Sequence, residues 1–264
     1  AYESAISLNN KGIKVEAIVD IRENPNSEFT NGAENLGIKI YKNHTIVDTH
    51  GYKKLNKISI MELSKDGQSF ANSNKITLDC DCLGMSGGWT PAVHLFTQSG
   101  GKLKFRDEDQ VFIPNKYPSD QISIGSCNGD FKLDEIINVT SKSLKEFLNI
   151  DKTDYDNLNV KCPKDKTIRN IWLLPSNKIF GKTKPFVDFQ NDATAKDIKL
   201  ALKEGFRSIE HVKRYTTTGM GTDQGKLGNM HALGIIADTA CVKVGELGTT
   251  TFRPPYTPLT FGTM

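Results

Sequence analysis

No apolar run in this 264-residue chain approaches the roughly 20 residues that a membrane-spanning helix requires, so no membrane partner is expected. Neither sign of charge dominates: 34 Lys+Arg stand against 31 Asp+Glu, a formal net charge of +3, without long runs of one sign. That balance leaves no electrostatic footprint for nucleic acid, and 25% charged residues without blocks argues against disorder. Cysteine is scarce and scattered. Cys80, Cys82, Cys127, Cys162 and Cys241 form an odd set unlike a disulfide framework, so reduced thiols are expected. The opening residues, AYESAISLNNKG, lack the basic and apolar parts of a secretory signal, which makes the cytoplasm the default location. An initiating Met is absent too. The chain starts within what reads as a helix that stops at Gly12, and it closes on FRPPYTPLTFGTM, a stretch of linker composition. A piece of a longer polypeptide is expected.

Residues 15–21 (VEAIVDI) form a short apolar run of the kind that makes a strand buried on both faces. Helix, Gly and buried strand together read as the second half of a βαβ unit. Asp20 and Arg22 lie at its end, where such a unit places the groups that read a nucleotide ribose or phosphate; two solvated charges capping a strand are the plainer alternative. From Ile38 to Leu83 the pattern changes to alternation. IKIYKNHTIVD, KKLNKISIMELS and NKITLDCDCLGM predict antiparallel strands, the last ending in a buried run from Cys82 to Met85. Cys80 and Cys82, two apart in that strand and without a second pair, are not expected to hold a metal. The cluster Ser86-Gly87-Gly88-Trp89-Thr90-Pro91 then permits close backbone approach, either by a ligand or in packing.

In QISIGSCNGDFKLDEII, Ile122 and Ile124 share one face of a short strand, Gly125-Ser126-Cys127-Asn128-Gly129 makes a tight turn, and a helix begins near Phe131. A glycine-lined turn before a helix N-terminus suits a pyrophosphate, because unpaired N–H groups and the helix dipole converge there. An ordinary strand-turn-helix corner reads equally well. Cys127, with no local His or acid, reads as a buried structural thiol. Residues 151–184 are Lys- and Asn-rich with several prolines and read as a linker carrying one short strand, IRNIWLLP. A helical segment follows. Thr194 and Asp197 form a capping box before Ile198, Leu202, Ile209 and Val212; Gly205 ends one helix and Ser208 stands near the start of another. It runs into Lys213, Arg214, Tyr215, Thr216, Thr217, Thr218, Gly219, Met220 and Gly221. Two cations, three hydroxyls and two glycines suit a phosphate or carboxylate, or else form a solvated helix end.

Four stretches carry a family resemblance: AYESA…VDIRENP, SGGWTPAVHLFTQSGGKL, FVDFQNDATAKDIKLALKEGFRSIEHVKRYTTTGMGTDQGK and GTTTFRPPYTP. Together they resemble the middle of the alpha subunit of heterotetrameric sarcosine oxidase over nearly the whole chain, the third stretch most specifically. The resemblance implies an α/β and α+β chain. Residues 1–150 would be part of a two-dinucleotide-binding flavoprotein fold, 151–184 a linker, 185–245 a small helical domain, and 246–264 a linker to a C-terminal folate-binding module. It also implies a reaction. Sarcosine is oxidised at FAD in the beta subunit, electrons pass to an FMN covalently attached to beta near the alpha/beta interface, oxygen becomes peroxide, and tetrahydrofolate captures the one-carbon unit. Gamma and delta subunits complete the complex.

On this resemblance alpha holds NAD, and Ser126, Phe131 and Leu133 match late NAD contacts, with Gly125, Asn128 and Gly129 shaping the turn. Lys213, Arg214, Thr216, Thr217 and Thr218 are candidates for the FMN-facing interface. No catalytic residue and no metal ligand is expected in this stretch. The helical domain further resembles one that, in related amine and opine dehydrogenases, binds a [2Fe-2S] cluster through four cysteines. Here those positions hold Asp188, Gln190, Asp223 and Gly228, none a thiolate, so the cluster is expected to be missing. Two alternatives stay open: a subunit of an amine, opine or proline dehydrogenase, and a stretch that only binds a partner subunit.

Overall fold

The computed structural model describes every residue except 26, 119, 152–157, 159, 163–167, 177–183 and 255. It divides the chain into two units, Ala1–Gly88 with Pro163–Phe180 and Trp89–Cys162 with Gly181–Met264. The break after Gly88 falls inside the expected 1–150 domain, which is therefore not one unit.

In the first unit, helix α1 (Tyr2–Asn10) leads through Gly12 to strand β1 (Ala17–Asp20). Helix α2 (Glu28–Asn35) then crosses to β2 (Lys39–Lys42), which pairs parallel with β1 from Ala17↔Lys39 to Asp20↔Lys42. Ser27 caps α2 by accepting from Thr30 N at 3.2 Å. Tyr2, Ala5, Ile18, Ala33 and Ile38 form the core, with Phe29 and Ile40 packed against it. The βαβ half is present, but its strand is not buried on both faces: Ile18 and Asp20 are buried while Ala17 and Val19 are half-exposed. Two strands beside two helices bury one alternating set only.

Asp20 spends its oxygens inside the unit. It accepts from the Tyr2 hydroxyl at 2.8 Å, from Arg22 N at 2.9 Å and from the Arg22 guanidinium at 2.8–3.1 Å. Burial pushes its carboxyl up, but the Arg22 and Tyr2 hydrogen bonds outweigh it and hold the pKa below the ordinary value. Burial, and then the bond to Asp20, drives the Tyr2 hydroxyl up.

The stretch expected as one antiparallel strand is split at Asn43, which takes φ +58°. Its N–H donates to Arg22 O at 2.9 Å, its Nδ2 to Leu63 O at 2.7 Å, and its carbonyl accepts from Leu63 N at 2.8 Å. Beyond this hinge β3 (His44–Gly51), β4 (Leu55–Glu62) and β5 (Ile76–Asp79) form an antiparallel meander, with Ile58, Ile60, Met61 and Leu63 buried. The last rung beyond β5 is Cys80 N to Asn56 O at 3.1 Å, so the strand stops before Cys82. Cys82 and Met85 are exposed, against the buried run expected there. Residues 168–176, which include the stretch expected as the strand IRNIWLLP, contain no strand. Arg169 pins this segment to the first unit instead, donating to Ile21 O and Ser64 O, both at 2.6 Å, and to Lys65 O at 3.1 Å. The rest of the expected linker lies largely outside the described residues.

The second unit begins with a short helix α3 (His94–Gln98) and the hairpin β6 (Lys102–Arg106) and β7 (Val111–Lys116). A 3₁₀ turn (Gly125–Asn128) precedes α4 (Leu133–Leu148). No strand forms over 121–124, which pairs with no strand among the described residues, and the helix starts two residues later than expected. Next come β8 (Phe186–Asp188), β9 (Ala193–Thr194), α5 (Ala195–Lys203), α6 (Ile209–Thr216), α7 (Asn229–Ala240) and α8 (Val244–Leu247). The Thr194/Asp197 capping box opens α5, Gly205 at φ +99° follows its end, and Ser208 is the N-cap residue of α6. α7 buries Ala232, Leu233, Ile235, Ile236 and Ala237, in a unit whose core also holds Ile198, Ala201, Leu202 and Val212.

Asp20→Ala should destabilise the chain by about 1–3 kcal/mol, since it removes the acceptor of the buried Tyr2 hydroxyl. A depressed folded pKa contributes stability above the unfolded value of 3.8 and loses it as pH falls through the folded value. The gap between wild-type and variant urea midpoints should therefore shrink on acidification below that value.

Candidate functional site

α6 and α7 are joined by residues 217–228, TTGMGTDQGKLG. Thr217 leaves α6 at φ +60°, and the loop then wraps the side chain of Asn229, the first residue of α7. A Cβ on Gly219 or Gly225, both at φ +71°, would fall 2.4 or 2.0 Å from Asn229 Oδ1. Only glycine fits at either position. Asn229 Nδ2 in turn donates to Gln224 O at 3.3 Å and to Thr250 Oγ1 at 3.2 Å.

Two side chains leaving β8 hold the loop from outside. Asp188, 5% exposed, accepts from Gln190 N at 2.8 Å and Asn191 N at 3.3 Å through Oδ1, and from Gly219 N at 2.7 Å through Oδ2. Gln190 Oε1 accepts from the Thr222 hydroxyl at 3.2 Å and from Asp223 N at 3.3 Å, and Asp223 Oδ1 accepts from Gly225 N at 3.1 Å. The N–H groups of Gly221 and Thr222, at the turn between these attachments, donate to nothing among the described residues. Met220 and Leu227 in the loop and Phe189 beside Gln190 are 50%, 74% and 71% exposed.

Asp188, Gln190 and Asp223 are thus linked through one loop, and Gly228 closes it: a Cβ there would meet Val187 O at 2.4 Å. The set does not fit an iron–sulfur cluster. Its oxygens are engaged by backbone N–H groups, and Gly228 has room for no side chain. Among the described residues no group of three His, Cys, Asp or Glu could hold a metal ion.

The five interface candidates divide. Arg214 and Thr217 are exposed, whereas Lys213, Thr216 and Thr218 are buried. Lys213 Nζ donates to Thr251 O at 2.8 Å, and burial lowers its pKa despite nearby Glu210. Thr216 donates to Val212 O at 2.8 Å and shares a 2.7 Å contact with the Thr218 hydroxyl. Arg214 is paired with Glu210, four residues back, at 3.3 Å. Lys213 is therefore buried and not part of a solvated helix end.

Residues 250–253, within the stretch expected as linker, lie across this region. Thr250 bonds Asn229, Thr251 N donates to Glu210, Arg253 N donates to Gln224 Oε1 at 2.9 Å, and Phe252 stacks on His94 with centroids 3.9 Å apart. His94 Nε2 lies 3.2 Å from Gln224 O; a carbonyl only accepts, so this nitrogen carries the proton. Nδ1 has no partner among the described residues, and burial, with Lys226 adding to it, holds the imidazole below its ordinary pKa. The cavity beside His94, Thr90 and Met230 measures about 30 Å³. Cofactor pockets run to hundreds of cubic ångströms, so this cavity is too small to hold one.

The turn at 125–133 exposes Ser126, Phe131 and Leu133 and buries Gly125 and Gly129. Arg106, paired with Asp109, donates to Gly129 O at 2.9 Å. Asp134 and Glu135 occupy the first turn of α4, where their charge competes with an external anion. Cys127 is half-buried rather than buried, its thiol donating to Ile124 O at 3.1 Å. A Cβ on Gly87 or Gly88 would touch nothing, and Trp89 is 81% exposed, so internal packing does not account for that glycine pair.

Asp188 and Gln190 drew notice in the sequence only as positions lacking cysteine; Asn229, Gln224 and His94 drew none. The signal available was the recurrence of glycine at 219, 221, 225 and 228 before Asn229. Lys213→Ala should destabilise the chain by about 1–3 kcal/mol in urea denaturation, because Thr251 O loses its donor. Arg214→Ala should change stability by less than about 0.5 kcal/mol.

Residues 182–264 match the family described as Sarcosine oxidase A3 domain, a span that includes both the expected helical domain and the expected terminal linker. Over its full length the chain is 32% identical to the sarcosine oxidase subunit alpha of Rhizobium meliloti (strain 1021), of which it covers 25%. Over 95% of its length it is 29% identical to the subunit alpha of Corynebacterium sp. (strain P-1), covering 26% of that protein. The chain thus spans about a quarter of the length of these relatives. Among solved structures, the L-proline dehydrogenase from P. horikoshii aligns with 97% of the chain and 51% of its own, with a TM-score of 0.59 and 18% identity, a likeness of fold. Sequence identity runs through both units and the A3 domain match spans the glycine loop, so the chain is similar throughout to a quarter of the sarcosine oxidase alpha subunit.

Proposed function

We propose that this chain is the part of a sarcosine-oxidising flavoprotein complex that presents the 217–228 loop to an FMN carried by the beta subunit. The observation that carries the reading is the loop itself: two N–H groups, at Gly221 and Thr222, without a partner among the described residues, and exposed Met220 and Leu227 in the same loop with exposed Phe189 beside Gln190. Such a surface suits an anionic group on a partner, with N–H donors for phosphate oxygens and apolar side chains for the contact around them. Arg214 and Thr217 stand at its edge; Lys213, Thr216 and Thr218 support it from beneath. The flavin supplies the electron-transfer chemistry, and these residues bind and orient.

The whole complex, on this proposal, contains alpha, beta, gamma and delta subunits. It converts sarcosine, oxygen and tetrahydrofolate to glycine, peroxide and methylenetetrahydrofolate, with FAD in beta and the folate site in another part of alpha. NAD binding is proposed as structural. Ser126, Phe131 and Leu133 would touch its nucleoside rather than its pyrophosphate, since Asp134 and Glu135 repel a second anion. The free cysteines, two of them exposed, support a reducing cytoplasmic setting. The helical domain is proposed as one that dispenses with a [2Fe-2S] cluster, Asp188, Gln190 and Asp223 supplying hydrogen-bond acceptors instead.

Expressed alone, the chain should be colourless and show no sarcosine-dependent oxygen uptake. In full-length alpha assembled with its partners, Met220→Asp should lower flavin content and weaken subunit association. Stoichiometric flavin in the isolated chain, or undiminished flavin in that variant, contradicts the reading. Reconstitution with iron and sulfide should leave no [2Fe-2S] absorbance, because the oxygen donors cannot replace soft thiolates. Two irons bound per chain at this domain would refute that part.

A further inference from the structure

We propose that Asp188 and Gln190 are positioning residues: they fix the turn Met220–Thr222 so that the N–H groups of Gly221 and Thr222 point outward in one arrangement. The proposal rests on the flavin-facing reading of the loop and adds what makes the loop competent.

Asp188 sits at the end of β8, and its carboxylate has no ion-pair partner among the described residues; three backbone N–H groups satisfy it instead. Two of these, from Gln190 and Asn191, belong to its own turn. The third, from Gly219, joins β8 to the start of the exposed turn. Gln190 joins the other end through the Thr222 hydroxyl and Asp223 N, and a Cβ at Gly221 would fall 2.1 Å from Gln190 Oε1. The chain between Gly219 and Asp223 is therefore held at both ends by acceptors that leave the same three-residue stretch. Asn229 fills the inside of the loop, so the turn can collapse neither inward nor toward β8. A loop so held has lost its conformational freedom before a ligand arrives, and binding need not supply the ordering entropy again.

This arrangement depends on acceptors, not on charge or bulk at position 190. Gln190→Ala removes the acceptor at an exposed residue and leaves Asp188 in place. Gln190→Glu retains an acceptor oxygen. Asp188→Asn presents an N–H₂ to one of its present N–H partners.

The experiment uses full-length alpha assembled with its partner subunits, read by peptide-level hydrogen exchange over 217–226, by retention of the FMN-bearing beta subunit and by circular dichroism. Gln190→Ala should speed exchange in this segment and release the beta subunit about tenfold more readily, with an unchanged far-ultraviolet spectrum; Gln190→Glu should restore both. Unaltered exchange in Gln190→Ala overturns the proposal, as does faster exchange with unaltered retention of beta. Failure of the flavin-facing reading has a separate signature: Met220→Asp would leave retention of the beta subunit unaltered, whatever Gln190→Ala does to exchange.

Discussion

A buried carboxylate held by three backbone N–H groups organises the second unit. Asp188 ends a strand of only three residues, and without its bond to Gly219 the loop between α6 and α7 would lose its tie to that strand. A carboxylate taken from water at this depth needs strong donors, and the geometry supplies three at 2.7–3.3 Å. The loop's glycines follow from this tie and its neighbours: once Asn229, Gln190 and Val187 occupy the adjacent space, no side chain fits on the facing backbone.

The same constraint reaches the C-terminal segment. Asn229 bonds Thr250, Lys213 bonds the Thr251 carbonyl, Gln224 bonds Arg253 N, and His94 receives Phe252 against its ring. The partners of 250–253 lie in α3, α6, the loop and the first residue of α7, so this stretch is fastened to the candidate site and is part of it.

Some of this was legible in the sequence, and the reason differs by element. The capping box at Thr194, the helix end near Gly205 and the alternating strands of the meander depend on neighbours a few residues away, which a pattern records. The split at Asn43 depends on hydrogen bonds to Leu63 and Arg22, so IKIYKNHTIVD read as one strand. The segment 250–253 read as linker because its composition hides contacts 20 to nearly 160 residues distant. Lys213 read as a surface cation for a similar reason. Its place at the end of an amphipathic helix suits a solvated charge, and only the Thr251 carbonyl shows why it is buried. The family resemblance was legible throughout, since TTTGMGTDQGK is specific, yet it named Asp188 and Gln190 only as residues that were not cysteine.

The central claim is that the 217–228 loop meets an anionic group of the flavin-bearing partner through backbone N–H groups. The most direct measurement is an experimental structure of the assembled complex with its flavins. The account predicts flavin phosphate oxygens about 2.7–3.2 Å from the Gly221 and Thr222 nitrogens, with Met220 and Leu227 covered by the partner subunit. A loop open to solvent, with the flavin phosphate held elsewhere, would contradict it.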